Sequence, residues 1–168
     1  MKANAVGKKL SEVEKAYVAG FLDADGAIMA SLERHQEKKF GFRVRVVVKI
    51  SQRDIKVVEK FRDDFGVGRV RPNRHGTRLM SHEWIVLDQQ HADYVLKTLL
   101  PYIRVKEKQA KIAREIIAIS KETRVGLIKA AELGDTLSRF NTRTKRKNFA
   151  TILTIDEDTS PLTTNRTF

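Results

Sequence analysis

The sequence predicts an α+β domain in which one helix followed by two strands occurs twice, in the order αββαββα, with further C-terminal helices. Two observations support this prediction. Apolar residues recur at helical spacing and then change to strict alternation, and the same change happens again in the following segment. The simplest arrangement is one four-stranded antiparallel, saddle-like sheet, backed by helices on its apolar face and open on its basic face.

The first helix is predicted over about residues 12–24, because Val13 and Tyr17 repeat at helical spacing and Ser11 precedes them as an N-cap. Gly26 comes just after the helix, where a left-handed residue is common, so we expect a positive φ there. From residue 27 the apolar period becomes two, which predicts a long β-hairpin. Its apolar side carries Ile28, Ala30, Leu32, Phe42, Val44, Val46, Val48 and Ile50.

The second unit repeats this pattern in weaker form. Asp54 and Gly66 bracket the predicted second helix, and two more strands are expected to follow, joined by a turn rich in Pro, Asn and Gly. Later helices are predicted over about 90–99, 105–120 and 125–140.

Residues 1–150 are assigned to a single domain, whereas residues 151–168 are Thr-rich and acidic and are expected to form a loosely ordered tail. The N-terminus lacks the apolar centre of a secretory signal, so we expect an intracellular protein, cytoplasmic or, in a eukaryote, organellar.

The charge is strongly basic, with 33 Lys and Arg against 21 Asp and Glu and a net charge of +12. Such an excess indicates nucleic acid or an anionic membrane as a partner, or else simply a charged surface. The basic residues recur on one side of the predicted strands, which favours nucleic acid over a membrane. The absence of cysteine excludes disulfides, thiol nucleophiles and cysteine metal sites, so any metal must use oxygen or histidine ligands.

Two carboxylates, Asp23 and Asp25, lie at the end of the first helix, where the helix dipole disfavours acids. Ala16, Gly20 and Ala24 form a stripe of small residues along the same helix; they either pack under a bulky neighbour or let a second helix approach closely. If two such helices pack together, their acids converge and require cations. Mg²⁺, which takes one or two carboxylates together with water and phosphate, fits that need.

The segment YVAGFLDADG, residues 17–26, resembles the signature of the LAGLIDADG homing endonucleases. The order of predicted elements to about residue 150, the GVGRV segment and the PYIRVKEKQA segment also resemble that family. The resemblance implies a homodimer, because only one copy of the motif is present. Its interface would be built from Ala16, Ala19, Gly20 and Ala24.

The resemblance also implies the site residues. Asp25 and the backbone carbonyl of Ala24 would bind the metal, Mg²⁺ or Mn²⁺, while Gln52 and Lys106 would complete the catalytic group. Without the resemblance, Lys106 is equally well interpreted as a solvated lysine at a helix start. Asp23 is expected to shape the helix end instead of holding metal. Arg53 and Lys56 are alternatives for a further cation near the site, and the sequence does not choose between them.

The open face of the sheet is expected to contact the bases of double-stranded DNA, because its mixture of charged, polar and apolar side chains suits base readout. The residues predicted for this face are Met29, Ser31, Glu33, His35, Arg43, Arg45, Val47, Lys49, Arg69, Arg71, Asn73, Glu83 and Ile85. Phosphate contacts are expected from Lys145, Arg146 and Lys147.

Together these observations predict a site-specific double-strand DNA endonuclease that hydrolyses phosphodiesters with a divalent metal, as a homodimer on a long pseudopalindromic target. No membrane and no small-molecule cofactor are expected. Two other functions stay open at this point: an RNA maturase that assists intron splicing, and a DNA-binding regulator without catalysis.

Overall fold

A computed structural model describes residues 10–141 and 148–159 and confirms the predicted α+β order. The first half of the chain contains α1 (Glu12–Asp25), β1 (Gly26–Arg34), β2 (Phe42–Gln52), α2 (Ile55–Phe65), β3 (Arg69–His75) and β4 (Arg78–Val86). The second half contains α3 (Gln89–Leu99), α4 (Glu107–Ala118), α5 (Arg124–Arg139) and α6 (Phe149–Thr159).

The four strands form one antiparallel sheet in the order β1-β2-β4-β3. Its apolar face is covered by helices α1 to α5, and Ile28, Val48 and Trp84 are fully buried there. Burial of each such side chain contributes about 1.5–3 kcal/mol to folding, so the alternation in the strands is enough to orient the sheet. The prediction of an apolar face backed by helices is confirmed.

The junction between α1 and β1 has no intervening loop. Ser11 and Glu14 form a capping box at the start of α1, as the N-cap prediction for Ser11 requires. The expectation of a positive φ at Gly26 is wrong, because its φ of −88° and ψ of 167° are extended. Glycine is needed there for space, since a Cβ would lie 2.6 Å from Leu22 Cδ1 and 2.7 Å from Leu22 Cα.

The second unit follows its local signals, with one correction. Asp54 caps α2, and Gly66 ends it with a φ of 66°. The turn between β3 and β4 lies at Gly76, whereas Pro72 and Asn73 belong to β3 itself. Proline is tolerated there because β3 is the edge strand of the sheet.

The prediction of loose order after residue 150 is wrong for residues 151–159, which belong to α6. Phe149 and Leu153 are buried against α5. The Asp135 carboxylate of α5 accepts hydrogen bonds from the backbone N–H groups of Phe149 (2.6 Å) and Ala150 (3.1 Å), which places it at the N-terminus of α6. Residues 160–168 lie outside the described residues.

The helices within residues 10–141 and 148–159 are too short or too polar to cross a membrane.

Replacing Asp135 by Ala is expected to release α6, because two backbone donors at the start of that helix lose their acceptor. Loss of a capping carboxylate lowers the free energy of unfolding by about 0.5–2 kcal/mol. Amide hydrogen exchange of residues 149–153 should therefore accelerate in Asp135→Ala. The exposed neighbour Glu132→Ala is the matched control and should leave exchange in α6 unchanged. Equal protection in both variants would contradict this account of α6.

Candidate active site

Asp25 is the last residue of α1, and its side chain is exposed. Gln52 lies at the end of β2 and donates a hydrogen bond from Nε2 to Asp25 Oδ2, at 2.7 Å. This contact links the C-terminal end of α1 to the C-terminal end of β2. It orients one carboxylate oxygen, and Oδ1 has no hydrogen-bond partner among residues 10–141 and 148–159.

Asp23, two residues earlier, has a different environment. Its carboxylate accepts hydrogen bonds from the backbone N–H groups of Arg104 (2.8 Å), Val105 (3.1 Å) and Lys106 (3.0 Å). These donors form the turn that leads into α4, so a carboxylate of α1 satisfies the unpaired amides before a second helix. Asp23 thus holds the end of α1 against the start of α4.

Lys106 is brought to the same place by this contact. Its Nζ donates a hydrogen bond to the backbone carbonyl of Asp23. Burial lowers the pKa of Lys106 below its ordinary value, while the carboxylates of Asp23 and then Asp25 raise it and offset part of the change. A partly buried cation therefore lies beside the two acids, and the sequence prediction that groups Asp25, Gln52 and Lys106 agrees with their positions.

The chemistry of this site suits a divalent oxygen-binding ion. Within the described residues the Asp25 carboxylate forms no ion pair, and its side-chain hydrogen bond there comes from the neutral amide of Gln52. No group of three or more His, Asp or Glu able to hold a metal is found in the same part of the chain. A single carboxylate with a nearby backbone carbonyl such as that of Ala24 fits Mg²⁺, which takes few protein ligands and retains water or phosphate.

A stripe of small residues on α1 is exposed in the part of the chain that the structure describes. Ala16, Gly20 and Ala24 are exposed, and a Cβ added to Gly20 would meet nothing within 4 Å. Tyr17 on the same surface is 52% exposed. Ala19 is fully buried in the core, so the expectation that it forms part of an interface is wrong.

The open face of the sheet carries the predicted row of side chains, but three of them are covered. Val47, Glu83 and Ile85 are 8%, 2% and 3% exposed. The prediction that these three side chains contact DNA directly is therefore corrected, because all three are buried. The remaining members of the row in the described chain are partly or fully exposed.

The charged residues of this face form two groups that the sequence analysis did not predict. In the Glu33 cluster (Ser31, Glu33, Arg43, Arg45), Glu33 accepts hydrogen bonds from Arg43 at 2.6 Å, Arg45 at 2.5 Å and Ser31 at 3.0 Å. Burial raises the pKa of Glu33, but these hydrogen bonds and the charge of Arg45 outweigh burial and lower the pKa below its usual value.

In the Glu83 cluster (Lys49, Ser51, Arg71, Glu83), Glu83 accepts hydrogen bonds from Lys49 at 2.6 Å, Arg71 at 3.0 Å and Ser51 at 3.3 Å. Burial again raises the pKa of Glu83, and the hydrogen bonds and charges of Lys49 and Arg71 outweigh it, so the pKa is lowered. Cross-strand register creates both groups, since Glu33 pairs with Arg43, and Glu83 pairs with both Ser51 and Arg71.

Comparison with known proteins identifies the family. A family model described as LAGLIDADG endonuclease matches residues 18–119, which is more than half of the chain. The chain belongs to the LAGLIDADG endonuclease family.

Relatives in this family include the DNA endonuclease I-CvuI of Chlorella vulgaris, 30% identical over 139 residues, which covers 80% of this chain and 84% of that protein. The DNA endonuclease I-CreI of Chlamydomonas reinhardtii is 30% identical over 103 residues, 60% of each protein. A crystal structure of I-CvuI in complex with the I-CreI target in the presence of Mg superposes with a TM-score of 0.77, at 27% identity over 85% of this chain and 91% of that one.

Neighbouring residues of α1 thus have different environments. Asp23 satisfies backbone amides, Asp25 faces outward with Gln52, and Ala16 and Gly20 leave a helix surface open. Arg53 and Lys56 are both exposed, and no hydrogen bond joins either side chain to Asp25 in the described chain, so the choice between them stays open. Lys145, Arg146 and Lys147 lie outside the described residues.

The two acids are expected to differ in their effect on stability. Asp23→Ala should lower the free energy of unfolding by about 1–3 kcal/mol, because three backbone donors lose their acceptor. Asp25→Asn should change it by less than about 0.5 kcal/mol, since the amide keeps an acceptor for Gln52 and no ion pair is lost. Urea denaturation of both variants measures this. A larger loss of unfolding free energy in Asp25→Asn than in Asp23→Ala would contradict the different roles assigned to the two acids.

Proposed function

We propose that this LAGLIDADG family member is a site-specific endonuclease of double-stranded DNA that requires Mg²⁺ or Mn²⁺ and acts as a homodimer on a long pseudopalindromic target. Since its substrate is DNA, it acts inside the cell, in the cytoplasm or in an organelle. The observation that carries the proposal is the exposed Asp25 carboxylate, joined to Gln52 and flanked by the partly buried cation Lys106, at the edge of an open basic sheet.

Each residue of the site has a role in phosphodiester hydrolysis. Asp25 and the carbonyl of Ala24 would hold the divalent ion, which when bound supplies Lewis-acid activation and neutralises negative charge at the scissile phosphate. Gln52 orients Asp25 and can position water. Lys106 supplies fixed positive charge for a phosphate that gains negative charge in the transition state.

The homodimer follows from the single motif and from the open surface of α1. One chain offers one Asp25, whereas a double-strand break needs a site for each strand. If the exposed stripe of Ala16, Gly20 and Ala24 packs against its copy, the two Asp25 carboxylates come together at the dimer axis. Their mutual repulsion is relieved by bound cations. A two-fold protein implies a target with matching half-sites.

The catalytic proposal is tested by Asp25→Asn on duplex DNA. The wild-type protein should cleave a target selected from a random library when Mg²⁺ is present, and Asp25→Asn should bind the same target but cleave it at least about 100-fold more slowly, since it loses a metal ligand. Cleavage rates and binding affinity are measured separately. Cleavage at the wild-type rate by Asp25→Asn, or specific binding of RNA with no DNA cleavage by the wild type, would overturn the proposal.

The homodimer is tested at Gly20. Gly20→Leu should keep the fold of the single chain, because nothing lies within 4 Å of a Cβ at this position, but it should separate two helices packed through this surface. Analytical ultracentrifugation should find the wild type at twice the mass of one chain and Gly20→Leu at the mass of one chain. Gly41→Ala is the control, because Gly41 lies away from α1 and nothing lies within 4 Å of a Cβ there; its loss of stability is measured independently because its φ is 68°. Wild-type protein that sediments as a single chain would contradict the homodimer.

A further inference from the structure

The Glu33 cluster, on β1 and β2, and the Glu83 cluster, on β2, β3 and β4, are built in the same way. In each, one glutamate accepts hydrogen bonds from two cationic side chains and one serine hydroxyl. Two cations face one carboxylate, so each cluster keeps positive charge. Such repetition on the open face indicates a shared purpose.

The cations of both clusters still reach solvent. The side chains of Lys49 and Arg71 are 26% and 46% exposed, whereas Glu83 is 2% exposed. Arg43 and Arg45 are 32% and 24% exposed. Both carboxylate oxygens of each glutamate accept hydrogen bonds within the cluster. The Glu33 side chain is itself 27% exposed, so a ligand meets the cations of both clusters and, in the Glu33 cluster, a carboxylate whose two oxygens are already bonded.

We propose that the two clusters are preorganised readers of guanine in the DNA major groove, in which each glutamate fixes its two cations before DNA binds. Guanine presents two acceptors, O6 and N7, at its major-groove edge, and Arg and Lys are the side chains that match them. A cation held in place loses less conformational entropy on binding, and the adjacent carboxylate disfavours contact with phosphate. The inference rests on the proposed function, since it specifies which DNA sequences that face selects.

The positions of the clusters predict where the guanines lie. Lys49 is three residues from Gln52 along β2, about 10 Å at the rise of a strand, which corresponds to about three base pairs. Glu33 is eight residues from Asp25 along β1, about 26 Å or about eight base pairs. Each half-site is therefore expected to prefer guanine in a block near the cleavage centre and in a second block near its outer end.

In this proposal the glutamates are positioning residues. Their variants should therefore change affinity for DNA and discrimination between bases in opposite directions. Glu33→Gln removes one negative charge, so affinity for random DNA should rise, while discrimination at the outer block should fall. A residue with only a structural role would lower affinity and selectivity together. Glu132→Gln on α5 removes the same charge from an exposed position away from the sheet and is the matched control.

The experiment selects bound duplexes from a random library with the full chain, using Ca²⁺ in place of Mg²⁺ to keep the DNA intact, for the wild type, Glu33→Gln, Glu83→Gln and Glu132→Gln. The wild type and Glu132→Gln should enrich guanine in both blocks. Glu33→Gln should lower guanine enrichment about 5-fold or more at the outer block only, and Glu83→Gln at the inner block only. If Glu83→Gln does not fold, the Glu33→Gln variant alone tests the proposal, because Glu33 is the more exposed of the two glutamates.

A selected motif without guanine in these blocks, or guanine blocks that survive Glu33→Gln, would overturn the guanine-reading proposal while the proposed endonuclease stands. A library in which the wild type enriches no motif would overturn both. A folded Glu33→Gln protein in which affinity for random DNA and selectivity for guanine both fall would also overturn the guanine-reading proposal.

Discussion

The attachment of α1 to the turn before α4 through the Asp23 carboxylate is the contact on which the site depends. Three backbone N–H groups at residues 104–106 converge on that one carboxylate. Backbone donors left without an acceptor at a helix start are costly, so this contact is strongly favoured once the chain is folded. It fixes where α1 ends, and with it the position of Asp25, and it places Lys106 beside the same helix end.

This attachment resolves the unusual placement of two acids at a helix C-terminus. The three hydrogen bonds to Asp23 offset its unfavourable interaction with the helix dipole. A bound ligand is therefore not required to explain an acid at this position. Asp25 gains only the hydrogen bond from Gln52 and forms no ion pair in the described chain. The acid without an ion pair in the described chain is the one suited to a divalent cation, and a partly buried lysine and an open basic sheet lie near it.

Much of the fold could be predicted because its signals are local. Ser11 and Asp54 cap their helices, and strand alternation separates the two faces of the sheet. The features that were missed depend on contacts between distant segments. The start of α6 is stabilised by Asp135 of another helix, and the clustering of Glu83 with cations from two other strands follows from strand order and register, which periodicity does not specify. The same applies to the site: the resemblance pointed to Asp25 and to a structural role for Asp23, whereas the backbone amides that Asp23 binds depend on the path of the chain near residue 104.

The division of labour between Asp23 and Asp25 is the central claim, and metal binding tests it most directly. Electron paramagnetic resonance of Mn²⁺ can measure binding of the ion to the protein on its selected DNA, without any cleavage step. We expect wild-type protein and Asp23→Asn to bind the ion and Asp25→Asn to lose the bound signal. Retention of bound Mn²⁺ in Asp25→Asn together with its loss in Asp23→Asn would contradict the account.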